Sequence, residues 1–84
     1  MSISIKEIVV KVRSCISLNL NINPEKLKAE SKIGEFPEWD SLGHISIYFA
    51  IQDYFELSIP LEDAGKIRSV RDWSYAVANI LNKH

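Results

Sequence analysis

The chain is short of the residues from which small proteins build chemistry of their own. Cysteine occurs once, at Cys15, which excludes an internal disulfide and suits a reducing compartment. The two histidines, His44 and His84, show no metal-ligand spacing with it or with each other. Only three glycines occur, at 34, 43 and 65, too scattered for a phosphate-cradling loop. Charge of either sign is not in excess: ten basic residues stand against eleven acidic ones, a net of −1. That balance gives no pull toward nucleic acid or anionic lipid. No run approaches the roughly 18 apolar residues of a membrane span. The opening MSISIKEIVVKV meets its first charge at Lys6 and lacks a secretory pattern. With 84 residues there is room for one domain, 1–84. These absences leave a cytoplasmic, monomeric globular domain as the expectation.

What is present is helical periodicity. Ser4-Ile5-Lys6-Glu7 fits a capping box. Ile5, Ile8, Val9, Val12 and Ile16 then share an apolar arc of roughly 100°. Asn19, Asn21, Asn23 and Pro24 predict an end near Leu18. The long connection over 21–40 holds Asn23-Pro24-Glu25-Lys26-Leu27, a cap followed by one short turn. A second helix is expected from Ser41 to Phe55, a short third within LEDAGKI, and a fourth after Ser69-Val70-Arg71-Asp72. In the fourth, Val70, Trp73, Val77, Ile80 and Leu81 form another one-sided stripe. ELSIP and IVVKV carry the only hints of strand, and both adjoin helical patterns. The fold class is all-α: a small four-helix bundle of three main helices and a short third one.

The second helix breaks the pattern. Its apolar side chains spread over roughly 220°, about twice what one buried face needs. Ile47, Ile51 and Phe55 point one way and Leu42, Ile45 and Phe49 another, with His44 and Gln52 between. The first group is assigned to the core and the second to an exposed patch beside Ser41, although a central helix burying both stays open.

Ser41 begins that helix, within EWDSLGHI. A serine nucleophile needs a base within hydrogen-bond reach. His44 lacks an evident orienting acid, and His84 is expected to fray. No G-x-S-x-G elbow occurs. An N-cap role for Asp40-Ser41 is the plain alternative, and a helix start also suits a phosphoester.

The stretch EWDSLGHISIYFAIQDYFELSIPLEDAGKIRSVRDW resembles acyl carrier proteins. D-S-L is similar to their attachment motif. Ile51, Asp53 and Phe55 match the end of the helix that follows, and I-P, D-A-x-K-I and S-V-x-D match beyond it. The resemblance implies a non-catalytic carrier with 4′-phosphopantetheine on Ser41, moved there from coenzyme A by a Mg²⁺-dependent phosphopantetheinyl transferase. It also implies a thioester cargo, acyl or aminoacyl, loaded by an activating ligase and consumed by downstream transferases. Asp40 is assigned to engaging the transferase and its metal, and Leu42 to touching it. Ile45, Tyr48, Phe49 and Asp53 form the expected partner surface. Many fatty-acid carriers line this helix with carboxylates, whereas Gly43, Ser46, Gln52 and Tyr54 stand here. That favours a specialised biosynthetic pathway. The alternative is an unmodified interaction module using the Leu42/Ile45/Phe49 patch. Trp39 either packs on the arm or anchors its loop, and Gly43 is expected to leave room for an approaching enzyme.

Overall fold

The computed structural model describes residues 3–82, so His84 lies outside the described residues. Four helices follow in order: α1 (Ile5–Leu20), α2 (Ser41–Phe55), α3 (Leu61–Ala64) and α4 (Val70–Leu81). A 3₁₀ turn, Pro24–Lys26, interrupts the connection between α1 and α2. Among the described residues the extended pairing is a single isolated bridge, Lys32 with Ser69. The all-α bundle expected from the periodicity is therefore the fold. No helix among them is long and apolar enough to cross a membrane.

Capping side chains set the boundaries. Ser4 Oγ accepts from the Glu7 amide, and Asp40 and Ser69 do the same for Gly43 and Asp72. Each such cap is worth about 1 kcal/mol. Two details differ from the expected boxes. Ser4 Oγ donates to Glu7 Oε1, and Asp72 Oδ2 accepts from the Arg68 amide rather than from Ser69. Helix α1 also runs two residues past Leu18. Asn21 takes a left-handed cap (φ 57°) there, and its amide closes onto the Ser17 carbonyl. Asparagine tolerates that conformation well, so the residue expected to stop the helix early finishes it instead.

Helix α1 packs against both α2 and α4. Ile8, Val12 and Ile16 meet Ile47 and Ile51 of α2 and Val70, Trp73 and Val77 of α4 in one cluster, all excluded from solvent. Each fully buried side chain of this kind stabilises by about 1.5–3 kcal/mol. Ile5, placed in the core arc by spacing, is 37% exposed because it sits on the first turn beyond the packing.

The long connection is tied down along its length. Leu27 and Trp39 plug into the core. Residues 29–33 pair with 68–71: the Ile33 amide donates to the Arg68 carbonyl, and the Val70 and Arg71 amides donate to Ser31 and Ala29, each at 2.9 Å. Gly34, at φ 92°, turns the chain so that its amide reaches the Trp39 carbonyl at 2.8 Å. A side chain would strain that backbone. The loop thereby delivers Trp39, Asp40 and Ser41 to one fixed place.

Candidate functional site

The start of α2 is a set of committed groups around one uncommitted hydroxyl. Asp40 caps the helix, its Oδ1 accepting from the Gly43 amide at 2.8 Å while its carbonyl accepts from His44. Ser41 is the first helical residue and is exposed, with no part in the capping. Trp39, one residue before the cap, is fully buried and donates from Nε1 to His44 Nδ1 at 2.9 Å. Anchoring the loop is thus its role, of the two expected from the sequence.

His44 has no nitrogen to spare. With Nδ1 accepting from Trp39, Nε2 is assigned the proton and donates to the Ile67 carbonyl at 2.8 Å. The ring packs against that of Trp73, centroids 5.3 Å apart. The imidazole pins three segments together: the loop before α2, α2 itself and the turn before α4. It is not placed to serve Ser41 as a base.

Gly43 corrects an expectation. It is buried, and a Cβ there would strike the Glu38 carbonyl and press on Leu20 Cδ2. The room it leaves belongs to the chain's own loop and the end of α1, not to a visiting enzyme. The obstructing atom is backbone and cannot rotate away.

Along α2 the two apolar groups separate as expected. Ile47 and Ile51 are fully buried and Phe55 is half-buried, whereas Leu42, Ile45 and Phe49 are 77%, 53% and 62% exposed. Across from them Leu61 of α3 is equally open, a site residue that sequence spacing missed. A large apolar residue directly after Pro60, on a helix too short to have a buried face, was the available signal. The polar interruptions of α2 are structural. Gln52 Oε1 accepts from the Ile59 amide at 2.7 Å, and its Nε2 donates to the Tyr48 carbonyl.

Tyr48 also departs from its assignment to the partner surface. It is half-buried, and its hydroxyl donates to the Ile59 carbonyl at 2.6 Å. The phenol is a strut between α2 and the following loop, with its hydroxyl already committed to Ile59. Asp53 is exposed, as a contact residue requires.

Between α2 and α3 lies a groove of about 340 Å³ lined by His44, Ile45, Tyr48, Phe49, Leu61, Ala64, Gly65 and Trp73. Ser41 and Ile45 are four residues apart and so share a helix face. The groove therefore begins one turn below the serine. Cys15 flanks the core from α1, half-buried, and burial pushes its thiol pKa up. It keeps its proton at neutral pH and stands apart from the groove.

No family model matches the chain. Curated relatives do. It is 41% identical over 68 residues to the acyl carrier protein of Wolinella succinogenes, covering 81% of this chain and 80% of that one. To the acyl carrier protein of Bdellovibrio bacteriovorus it is 37% identical over 73 residues, 87% and 88% of the two chains. To that of Thermosynechococcus vestitus it is 33% identical over 66 residues, 79% and 82%.

Proposed function

The chain belongs to the acyl carrier protein family, and from that premise we propose that Ser41 carries a phosphopantetheine arm serving a specialised biosynthetic route. One observation supports the serine above all: Asp40 does the capping, so the exposed hydroxyl beside it has no structural duty.

The residues present suit such a group. The first-turn amides that Asp40 does not take, together with the positive end of the helix dipole, favour a phosphodiester anion. Asp40 Oδ1 is held by Gly43, which aims the exposed carboxylate and leaves its second oxygen for a transferase-bound Mg²⁺. In the loading step Ser41 Oγ forms a new bond to phosphorus and a pyrophosphate P–O bond of coenzyme A breaks. The adenosine bisphosphate leaves, and the serine proton passes to a base of the transferase. When attached, the group supplies a terminal thiol for thioester chemistry.

The protein's own part is positioning. Tethering raises the effective concentration of cargo at each client enzyme. The first turn of α2 holds no acidic residue, and Leu42 and Ile45, which follow Ser41 on the helix, are apolar and exposed. Clients, namely an acyl- or aminoacyl-activating ligase and later transferases, dock by apolar contact with Leu42, Ile45 and Phe49 more than by charge steering. Asp53 contributes the acidic edge. The lone reduced thiol suits the cytoplasm as the place of work.

Incubation with coenzyme A, Mg²⁺ and a broad-specificity transferase, read by intact mass, tests the assignment. Wild type gains one phosphopantetheine unit. Ser41→Ala gains none while its stability stays within about 0.5 kcal/mol. Wild type left bare by several transferases would instead favour an unmodified module binding through the same apolar patch.

A further inference from the structure

Helices α1, α2 and α4 each begin at a capping side chain, and the start of α2 is fastened a second time. The serine caps of α1 and α4 accept from the amide three residues on at 3.3 and 3.0 Å. Before them stand Ile3, which has no polar side chain, and Arg68, which is exposed. At α2 the Asp40 cap closes at 2.8 Å, and Trp39 before it is buried and donates from Nε1 to His44 Nδ1 at 2.9 Å. The His44 amide in turn donates to the Asp40 carbonyl at 2.8 Å. Residues 39 and 40 are thus joined to residue 44 by side chain and by backbone, and Ser41 lies within the closed loop. The imidazole is itself held from behind by the Ile67 carbonyl and the Trp73 ring.

This second fastening exceeds what folding asks for. Asp40 already caps the helix, and the Trp39 backbone is already tied: its amide donates to the Phe36 carbonyl at 3.0 Å and its carbonyl accepts from Gly34 at 2.8 Å. The fold also forms around an indole without a partner, since Trp73, equally buried, has none for Nε1 among the described residues. An apolar side chain in place of the imidazole would pack on Trp73 without stripping water from two ring nitrogens. What the hydrogen-bonded imidazole adds is direction, because it accepts the Trp39 N–H in one orientation only. Resting on the carrier reading above, we propose that His44 is a positioning residue for attachment of the arm. Acting through Trp39, it holds the Asp40 carboxylate and the Ser41 hydroxyl in the arrangement that a transferase uses. A motif that is ordered beforehand loses less freedom on docking and presents its oxygen at a fixed angle. The imidazole moves no proton in this role, with Nδ1 accepting from Trp39 and Nε2 donating to Ile67.

Loading from coenzyme A, with this protein as the varied substrate of the transferase and every variant kept well below its melting temperature, tests the proposal. His44→Phe keeps a ring against Trp73 and lacks both nitrogens, and Trp39→Phe keeps a buried ring and lacks the donor. Each lowers kcat/KM for loading about tenfold. The double variant falls no further than His44→Phe alone, because both single changes break the same bond. His44→Asn, whose Oδ1 stands where Nδ1 accepts, recovers most of the rate. Hydrogen exchange followed by NMR gives a readout free of the transferase: the Gly43 and His44 amides exchange faster in either phenylalanine variant, while the amides of α1 do not. Wild-type loading by the folded phenylalanine variants, additive losses in the double variant, or unchanged exchange at Gly43 and His44 would overturn the proposal and leave Ser41 as the attachment site. Wild-type protein that accepts no arm overturns the carrier reading and this proposal with it.

Discussion

The two sides of α2 are made of the same kinds of residue and do opposite things. Ile47 and Ile51 are sealed against α1 and α4, while Leu42, Ile45 and Phe49, on the same fifteen-residue helix, stand mostly in water. Side-chain chemistry does not separate the groups, because isoleucine occurs in both. What separates them is whether another helix crosses that face. Helix α1 covers one side, whereas α3, a single turn, leaves the other open. Exposing apolar surface in a small chain has a cost in solubility, and such patches mark places where something binds. One side of α2 therefore holds the fold together, and the other is the face proposed above to meet partners.

Substitutions on the two sides should diverge accordingly. On the sealed side, Ile51→Ala removes a fully buried side chain and should lose about 2–5 kcal/mol in urea unfolding. For a domain whose whole stability is about 5–15 kcal/mol, that is a large fraction. A loss below about 1 kcal/mol would mean that the α1–α2 contact is not the main support.

At the junction of the two sides, Gly43→Ala gains helix propensity but drives a methyl into the Glu38 carbonyl. Overpacking of this kind outweighs propensity, so a net loss of about 1–2 kcal/mol is expected. A stabilised variant would show that the loop yields, and would return Gly43 to the role of making space for an enzyme.

On the open side, Leu42→Ser should change stability by no more than about 0.5 kcal/mol. It should slow phosphopantetheine transfer about tenfold, the equivalent of ~1.4 kcal/mol of apolar contact. Transfer should also respond little to added salt, since charge steering is not the attraction. A steep fall with salt would sink the apolar-docking reading.

Much of this was legible in the residues, and the reasons differ by feature. The starts of α1, α2 and α4 could be read because capping is local: Ser4, Asp40 and Ser69 each bind an amide three residues on. The divided face of α2 could be read because burial follows helical spacing. The end of α1 was misplaced because Asn21 can stop a helix or complete one, and only its backbone angle decides. Gly43, Tyr48 and Gln52 were misread or passed over because their partners come from other segments. Glu38 folds back over Gly43, and the 57–59 loop returns to Tyr48 and Gln52. Such contacts leave no periodic trace. The Trp39–His44 bond spans only five residues, yet it exists because Trp39 is buried in the core and the His44 ring is held against Trp73 and the Ile67 carbonyl.

The central claim is that Ser41 is an anchorage for a group made elsewhere. Its most direct test is tandem mass spectrometry of this protein isolated from the cells that make it. The account predicts a phosphopantetheine adduct on the peptide containing Ser41, in a substantial share of the molecules. An unmodified hydroxyl throughout, in cells whose other carriers are loaded, would contradict it.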